Sequence, residues 1–172
     1  MSMHPRLFFA LWPDDTVRHE LLHWQTHNLA HNARWQHRDD LHMTLDFLGQ
    51  VEPARIDGLR TLLAEAPGSA FSLVLDEIGF WPGPQVLWAG PSSVPGALID
   101  LQARLSEGLA QLGFPPEDRP YRPHVTLARK VGSGSTYGPL APLTWSVSEL
   151  VLVESRSGPA PRYRPLIHRR LN

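Results

Sequence analysis

Histidine and threonine occur two residues apart at two places in this chain, as His42 and Thr44 and again as His124 and Thr126. Apolar residues fill the alternate positions around them: Leu41, Met43, Leu45 and Phe47 in the first copy, and Val125 and Leu127 in the second. This alternation is typical of a half-buried β-strand, in which side chains two residues apart point to the same face. Each copy therefore presents an imidazole and a hydroxyl together. We expect the two strands to meet in a cleft that holds both pairs.

Two histidines that face one cleft can carry out concerted acid–base catalysis. The unperturbed pKa of histidine lies near neutral pH, so one ring can be neutral and accept a proton while the other is charged and donates one. In-line attack on a phosphodiester needs such a pair, because one group activates the nucleophile and the opposite group protonates the leaving oxygen. Threonine hydroxyls can donate to the phosphate oxygens, and arginines can stabilise the charge. Such a reaction requires neither a metal nor an organic cofactor.

The elements that must position the two motifs are themselves repeated. A strand-like run precedes each motif, at 6–12 and at 86–90, and a helical stretch lies between run and motif. The two histidines are 82 residues apart in a chain of 172, so each half carries one. Chance recurrence in strands that merely pack is the other interpretation, but the matched context favours two related lobes with the site between them.

The rest of the pattern predicts an α+β fold. Helices are expected from 13–16 to 28 or 33, over 53–66 and over 95–112, and further strands over 70–80, 143–153 and 162–170. In the first helix, Val17, Leu21 and Trp24 form the inner face. We expect a duplicated domain of two related lobes over residues 1–172, with two antiparallel sheets flanked by helices and the active cleft between the lobes.

Composition excludes several classes of protein. The chain has no cysteine, which removes disulfides, thiol nucleophiles and cysteine-based zinc sites. No apolar run is long enough to span a bilayer, and no secretory signal is recognisable, so we expect a cytoplasmic protein.

Charge is unevenly distributed along the chain. Residues 1–118 hold seven arginines and fifteen acidic residues, whereas residues 119–172 hold nine basic residues against Glu149 and Glu154. The basic third begins just before the second motif, which indicates an anionic partner there. A general preference for arginine over lysine explains the residue type equally well, so the clustering is the stronger evidence.

A stripe of histidines on the first predicted helix has the spacing of a metal site. His19, His23, His27 and His31 recur every four residues. Carboxylates and cysteines are missing in matching register, and the stripe lies off the predicted core face, so we interpret it as a solvated face.

The motifs and their flanks resemble a known family, the two-histidine phosphoesterase superfamily. Within it the chain is most similar to the bacterial RNA 2′,3′-cyclic phosphodiesterases, also called 2′-5′ RNA ligases. Stretches at 6–10, 41–49, 86–88, 119–129, 154–155 and 163–166 match that pattern. Each motif alone is weak evidence, but two in order with these flanks are strong.

The resemblance implies a bilobal α+β fold with a pseudo-twofold axis and a role for each motif residue. His42 matches the proton donor and His124 the proton acceptor, while Thr44 and Thr126 match the hydroxyls that bind phosphate. Four further residues are expected to contact the substrate: Arg129, Arg122, Tyr121 and Trp35. Arg129 would lie beside the phosphate, Arg122 would bind substrate, and the two aromatic rings would stack on a base. Packing in the core or at the rim is the other interpretation of the two aromatic residues.

The resemblance also implies a reaction and its partners. The protein would open 2′,3′-cyclic phosphates at RNA ends, tRNA fragments among them, or on small nucleotides, leaving a 2′-phosphate. The reverse reaction would form 2′-5′ linkages without ATP. We expect a monomer that does not bind membranes.

Rival functions fit the sequence less well. Residues 132–135 form no nucleophile elbow of the serine-hydrolase kind, and the carboxylates are too scattered for a metallohydrolase. The serious alternative is a non-catalytic RNA-end or nucleotide-binding module, which could lose either histidine at no cost.

Overall fold

The computed structural model describes residues 4–28, 33–132 and 136–172. This part of the chain holds three α-helices, which are α1 (Asp15–His27), α2 (Ile56–Glu65) and α3 (Gly96–Gln111). It also holds ten strands, which are β1 (Arg6–Leu11), β2 (Arg34–Trp35), β3 (Met43–Gln50), β4 (Phe71–Leu75), β5 (Glu77–Trp81), β6 (Val86–Gly90), β7 (Val125–Arg129), β8 (Leu143–Val147), β9 (Glu149–Ser155) and β10 (Tyr163–Arg170). Short 3-10 helices cover Arg38–Asp40 and Pro53–Arg55.

The strands form two antiparallel sheets, as predicted. The larger has the order β10-β9-β1-β3-β7-β6-β5, with β2 also paired to β7, and the smaller pairs β4 with β8. The larger sheet passes through both halves of the chain, because β3 of the first half lies next to β7 of the second. The two motif strands therefore meet at the middle of one continuous sheet.

The predicted duplication is visible in the order of elements. In the first half β1 leads through α1 to β3 and pairs with it, and in the second half β6 leads through α3 to β7 and pairs with it. Each half thus consists of a strand, a helix and a motif strand. Antiparallel pairing of the first and last members places the motif strands at the inner edges of the two halves.

The first helix shows why the local pattern was readable. The Asp14 carboxylate accepts a hydrogen bond from the backbone N–H of Val17 at 2.9 Å and caps the helix. The side chains predicted to face inward, Val17, Leu21 and Trp24, are all buried. His19, His23 and His27 lie on the exposed side, and His31 lies outside the described residues.

Two strands that the alternation predicted as continuous are each divided. The stretch 70–80 becomes β4 and β5, and the stretch 143–153 becomes β8 and β9. In both cases the first piece belongs to the small sheet and the second to the large one. Asp76 and Ser148 lie at the breaks, and the Asp76 carboxylate accepts hydrogen bonds from the Ser92 N–H at 2.8 Å and hydroxyl at 2.7 Å. The core-facing positions change from odd to even numbers across each break, from Leu73 and Leu75 to Ile78 and Phe80 and from Trp145 and Val147 to Leu150 and Leu152. Each bend therefore shifts the alternation by one residue, which the prediction of one continuous strand did not allow for.

The large sheet has two different faces. On one face Leu7, Phe9 and Leu11 join the main core, which includes the inner sides of all three helices. On the opposite face Phe8 and Ala10 pack with Val151 and Val153 in a smaller cluster. Because the helices cover the first face, the second face is available for a cleft.

Candidate active site

The pairing of β3 with β7 brings the two motifs together. Met43 pairs with Val125, and both side chains are wholly buried in the main core. The residues on either side of them therefore point to the opposite face of the sheet. There His42, Thr44, His124 and Thr126 line one cavity of about 510 Å³. The predicted convergence of the two pairs is what this geometry shows.

The two histidine rings are held in the same way. Nδ1 of His42 donates to the carbonyl oxygen of Asp40 at 2.7 Å, and Nδ1 of His124 donates to the carbonyl oxygen of Arg122 at 2.8 Å. In both motifs the acceptor is the residue two positions upstream. A proton on Nδ1 leaves Nε2 of the neutral ring as the acceptor. In the first motif, the Thr44 hydroxyl lies 3.0 Å from Nε2 of His42.

Aromatic side chains surround the rings. His42 packs against Phe8 with centroids 4.8 Å apart, stacks on Trp12 at 6.0 Å and meets the edge of Tyr163 at 4.8 Å. His124 makes one edge-on contact, with Trp81 at 4.6 Å. These contacts limit rotation of both imidazoles, so their reactive nitrogens keep a defined direction.

A buried arginine lies behind the first ring. The guanidinium of Arg18 sits 4.9 Å from the centroid of Trp12, whose ring stacks on His42. Arg18 is buried and donates to the carbonyls of Pro13 at 3.1 Å and Arg38 at 2.5 Å. Desolvation by burial lowers the pKa of Arg18. The guanidinium packs on the face of Trp12 and adds to the positive potential at His42.

Both histidines have lowered pKa values. Desolvation by burial lowers the pKa of His42 to about 4, with smaller contributions from the positive charges of His124, Arg129 and Arg18. The hydrogen bond to Asp40 opposes this shift because it stabilises the protonated ring. Burial also lowers the pKa of His124, and the charge of Arg129 adds to the effect. In the free protein both rings are therefore neutral near pH 7.

Asp40 links the first motif to the last strand. Its buried carboxylate accepts hydrogen bonds from the backbone N–H groups of Arg162, at 2.9 and 3.0 Å, and of Tyr163, at 3.0 Å. Its backbone carbonyl is the acceptor that orients His42. One residue thus positions both the imidazole and the start of β10, whose Tyr163 contacts that imidazole.

The predicted substrate-binding residues have different locations. Arg129, at the end of β7, lines the same cavity as the histidines. Arg122 and Tyr121 line a neighbouring cavity, and the Tyr121 hydroxyl donates to the Thr44 carbonyl at 2.9 Å. Trp35 is not among the described residues that line either cavity. It packs against Trp24 and Tyr137.

Several residues that line the cavity with the histidines were not predicted as site residues. They are Arg6, Phe8, Phe47, Trp81, Arg119 and Tyr163. Arg6 and Phe8 lie two apart on β1, so they share a face, but the run from Leu7 to Trp12 is apolar throughout and hides that alternation. Phe47 lies on β3, where the alternation predicted a core-facing position; that prediction is wrong, because a register shift between Thr44 and Asp46 changes the alternation and Phe47 is 64% exposed in the cleft. Trp81, Arg119 and Tyr163 reach the cleft through contacts between distant segments, for which the sequence carries no local signal.

The arrangement suits acid–base chemistry on an anionic ester. Two fixed imidazoles, two hydroxyls and the guanidinium of Arg129 face one cavity, and Arg6 and Arg119 add positive charge to its wall. Within residues 4–28, 33–132 and 136–172 no group of three His, Asp or Glu side chains is placed to hold a metal ion. In the same ranges no helix is long and apolar enough to cross a membrane.

Comparisons with known proteins agree with this geometry. A family model described as the 2′-5′ RNA ligase superfamily matches residues 13–159. The chain is 35% identical to the RNA 2′,3′-cyclic phosphodiesterase of Escherichia coli (strain K12) over 96% of each chain. It is 32% identical to the Thermus thermophilus protein of the same name, covering 90% of this chain and 83% of that one.

Solved structures give the same result. The structure of E. coli LigT complexed with 3′-AMP matches with a TM-score of 0.90 and 32% identity, over 97% of this chain and 98% of that one. A crystal structure from Thermus thermophilus, that of the protein TT0787, matches with a TM-score of 0.85 and 28% identity, over 96% and 97% of the two chains. The chain thus belongs to the 2′-5′ RNA ligase superfamily.

Proposed function

We propose that this protein hydrolyses the 2′,3′-cyclic phosphodiester at RNA ends to a 2′-phosphomonoester, with His42 and His124 as acid and base. The observation that carries the proposal is that both motif histidines face one cavity, each with Nδ1 bonded to a carbonyl two residues upstream. The shared name of the relatives, RNA 2′,3′-cyclic phosphodiesterase, supports the choice of substrate.

His124 has the geometry of the proton acceptor. Its Nδ1 proton is held by the Arg122 carbonyl, so the lone pair of Nε2 is available to a water molecule in the cleft. As the water oxygen attacks phosphorus, its proton passes to Nε2. The lowered pKa of His124 keeps the ring neutral and ready to accept at neutral pH.

His42 supplies the proton for the leaving oxygen. When the bond between phosphorus and the 3′-oxygen breaks, that oxygen takes the proton from Nε2 of a charged His42. An anionic phosphate in the cleft raises the pKa of His42, because it stabilises the imidazolium and offsets the neighbouring positive charges. The Asp40 carbonyl, bonded to Nδ1, also favours the charged ring.

The hydroxyls and Arg129 stabilise the phosphate. Thr44 and Thr126 donate to its non-bridging oxygens, and the Arg129 guanidinium offsets the charge that develops there. In the free protein the Thr44 hydroxyl is bonded to His42 Nε2, so substrate binding exchanges that partner for a phosphate oxygen. These groups complete the proposed mechanism without a metal or an organic cofactor.

The same groups can run the reaction with another nucleophile. If a 5′-hydroxyl of a second RNA replaces water, opening of the ring at the 3′-oxygen leaves a 2′-5′ linkage. The free energy released when the cyclic ester opens drives this step, so ATP is not required. The 2′-5′ ligation therefore belongs to the same proposal.

The proposal extends to partners and setting. The substrates are RNA ends, tRNA fragments among them, or small cyclic nucleotides, contacted by Arg122 and Tyr121 in addition to the cleft residues. Trp35 packs against Trp24 and Tyr137 outside both cavities, which favours the packing interpretation of that residue. The protein acts as a monomeric single domain over residues 1–172 in the cytoplasm. A monomer is supported by the position of both motif pairs in one cavity of one chain. An anionic substrate such as RNA is supported by the excess of basic residues over 119–172, and the cytoplasm by the absence of cysteine.

Direct assay tests the proposed reaction. EDTA-treated protein is incubated with an oligoribonucleotide that ends in a 2′,3′-cyclic phosphate, and phosphorus NMR identifies the product end. We expect a 2′-phosphate. We also expect a loss of about 10²–10⁴ in rate for His42→Ala or His124→Ala. The matched control is His19→Ala, an exposed histidine on α1, which should keep full activity. Tight binding of the RNA end without turnover would instead identify a non-catalytic binding module.

A further inference from the structure

A second cavity adjoins the one that holds both histidines. It has a volume of about 590 Å³, which lies within the usual range for small-molecule sites. Thr44, Phe47, Trp81, Arg119 and His124 line both cavities, so the two are continuous at the motif threonine and histidine. A group bound in the second cavity therefore lies next to the reacting phosphate.

Asp46 is a buried carboxylate in the wall of this cavity. It is 6% exposed, and its Oδ1 accepts a hydrogen bond from Nε2 of Gln102 at 3.2 Å. Its Oδ2 has no hydrogen-bond partner among the described residues. A buried polar atom without a partner is costly, and in native proteins it calls for an explanation such as a missing ligand.

The raised pKa of Asp46 is typical of a buried carboxylate that receives too few hydrogen bonds. Desolvation raises the pKa of Asp46 to about 7, and the charge of Glu117, which also lines the cavity, adds to the shift. The bond from Gln102 opposes it. A ligand N–H that reached Oδ2 would satisfy the free oxygen. Arg119 and Arg122 line the same cavity, so its walls carry charges of both signs, and the unpartnered oxygen of Asp46 is the group that calls for a hydrogen-bond donor.

The other walls suit a flat ring. The aromatic side chains of Phe47, Trp81 and Tyr121 line the cavity, and Phe47 is 64% exposed. Nucleobases stack on such rings, and base edges are read by nearby hydrogen-bonding groups. The combination of flat apolar walls, a fixed amide and a free carboxylate oxygen matches a base that carries an exocyclic amino group.

We propose that the Asp46 cavity is a base-recognition subsite in which Oδ2 of Asp46 accepts a hydrogen bond from the exocyclic amino group of the terminal nucleobase. The subsite rests on the proposed cyclic phosphodiesterase activity and determines its base specificity. Cytosine, adenine and guanine supply the amino group, whereas uracil presents carbonyl oxygens that Asp46 repels when it is ionised, above about pH 7.

Cytidine and uridine 2′,3′-cyclic phosphates form the cleanest test pair, because the bases are nearly equal in size and differ at the amino and carbonyl group. At pH 8, where Asp46 is ionised, we expect the native protein to favour cytidine in kcat/KM by roughly tenfold or more, as for a hydrogen bond to a charged group. In Asp46→Asn the amide oxygen keeps the Gln102 bond and the NH₂ group replaces Oδ2. The preference should then disappear or invert in favour of uridine.

The ratio of kcat/KM for the cytidine substrate to that for the uridine substrate separates an effect on specificity from an effect on stability. A purely structural role for Asp46 would change both rates equally and leave the ratio unmoved. Asp100→Asn on the exposed side of α3 makes the same chemical change outside the cavity and should alter neither rate. A native ratio near one, or an unchanged ratio in Asp46→Asn, would overturn the subsite.

Binding measurements keep the two proposals distinguishable. If neither cyclic nucleotide is hydrolysed, the proposed activity fails, and calorimetric affinities for cytidine and uridine 2′-monophosphate test the subsite by themselves. A cytidine preference that Asp46→Asn removes would support it, and equal affinities in both proteins would refute it.

Discussion

The chemistry of this protein is decided at two imidazoles whose environments make the neutral form the resting state. The proposed donor, His42, has its pKa lowered to about 4, so its charged form is rare in the free protein at neutral pH. The proposed acceptor, His124, is also neutral there. In the proposed mechanism the bound phosphate raises the pKa of His42, which couples substrate binding to the protonation that the reaction needs.

The pH dependence of the reaction tests this coupling. Because both pKa values are lowered in the free protein, we expect kcat/KM to be bell-shaped with its maximum between about pH 4 and 6.5. The profile of kcat should lie at higher pH, since the bound anion raises the pKa of His42. Steady-state rates over about pH 4–9 at fixed ionic strength would measure both. An optimum of kcat/KM above pH 7 would contradict the lowered pKa values.

The buried Asp46 predicts an effect on stability with a definite sign. Its folded pKa of about 7 lies above the ordinary value of 3.8, so the native state binds the proton more tightly than the unfolded state. This stabilisation is complete below about pH 4 and is lost as the pH rises through 7. Asp46→Asn should therefore raise the free energy of unfolding relative to the native chain by roughly 2–4 kcal/mol more at pH 8 than at pH 4.

Urea unfolding at the two pH values measures the difference. The control is Asp57→Asn on the exposed side of α2, for which we expect no comparable trend. An equal effect of Asp46→Asn at both pH values would mean that the carboxylate carries no penalty.

At the scale of secondary structure, one short helix fixes the position of a distant strand. The 3-10 helix Arg38–Asp40 precedes β3, and its last residue anchors the start of β10 through three hydrogen bonds to backbone N–H groups. The result is that the strand carrying Tyr163 is fastened beside the first motif. Because the same residue orients His42, the local geometry of the motif depends on a segment that lies 122 residues away along the chain.

Asp40→Asn tests that dependence. The amide keeps one acceptor oxygen and turns an NH₂ group toward the backbone N–H groups of Arg162 and Tyr163. We expect the free energy of unfolding to fall by about 1–3 kcal/mol. We also expect kcat to fall, since Tyr163 and His42 lose their fixed contact. Asp39→Asn changes the exposed neighbour and should affect neither quantity. Unaltered urea unfolding in Asp40→Asn would show that the anchor contributes nothing.

The positive charge of the cleft comes from arginines in distant parts of the chain and not from one local run. Arg6 comes from the first strand, Arg119 from the loop before the second motif and Arg129 from the end of β7, yet all three line the catalytic cavity. The acidic part of the chain thus contributes a cation to the cleft. Among the described residues no Asp or Glu lines this cavity, whereas Asp46 and Glu117 line the adjoining one together with Arg119.

Salt dependence of RNA binding measures this charge. Affinity for an RNA end should fall as salt rises, because phosphate contacts release counterions. Arg129→Ala should weaken binding and reduce the slope of log affinity against log salt by about 0.7. Arg60→Ala removes an exposed arginine on α2 and serves as the control. Equal slopes in the two variants would show that Arg129 does not contact phosphate.

The sequence alone determined the features that depend on short spacing. Period two placed each motif histidine and threonine on one face of a strand, and the spacing of Val17, Leu21 and Trp24 identified the buried side of α1. Matched order in the two halves was enough to predict the fold and its duplication. These inferences hold because the direction of a side chain within a strand or helix follows from the local backbone.

Other features depend on which distant segments meet. Three of these features involve residues far apart in the chain. They are the division of two predicted strands between two sheets at Asp76 and Ser148, the burial of Asp46 against Gln102, and the anchoring of β10 by Asp40. The lowered pKa of His42 has the same origin, since its desolvation comes from Phe8, Trp12 and Tyr163. Burial, desolvation and long-range hydrogen bonds are properties of a residue's spatial neighbours, and only the folded chain brings those neighbours together.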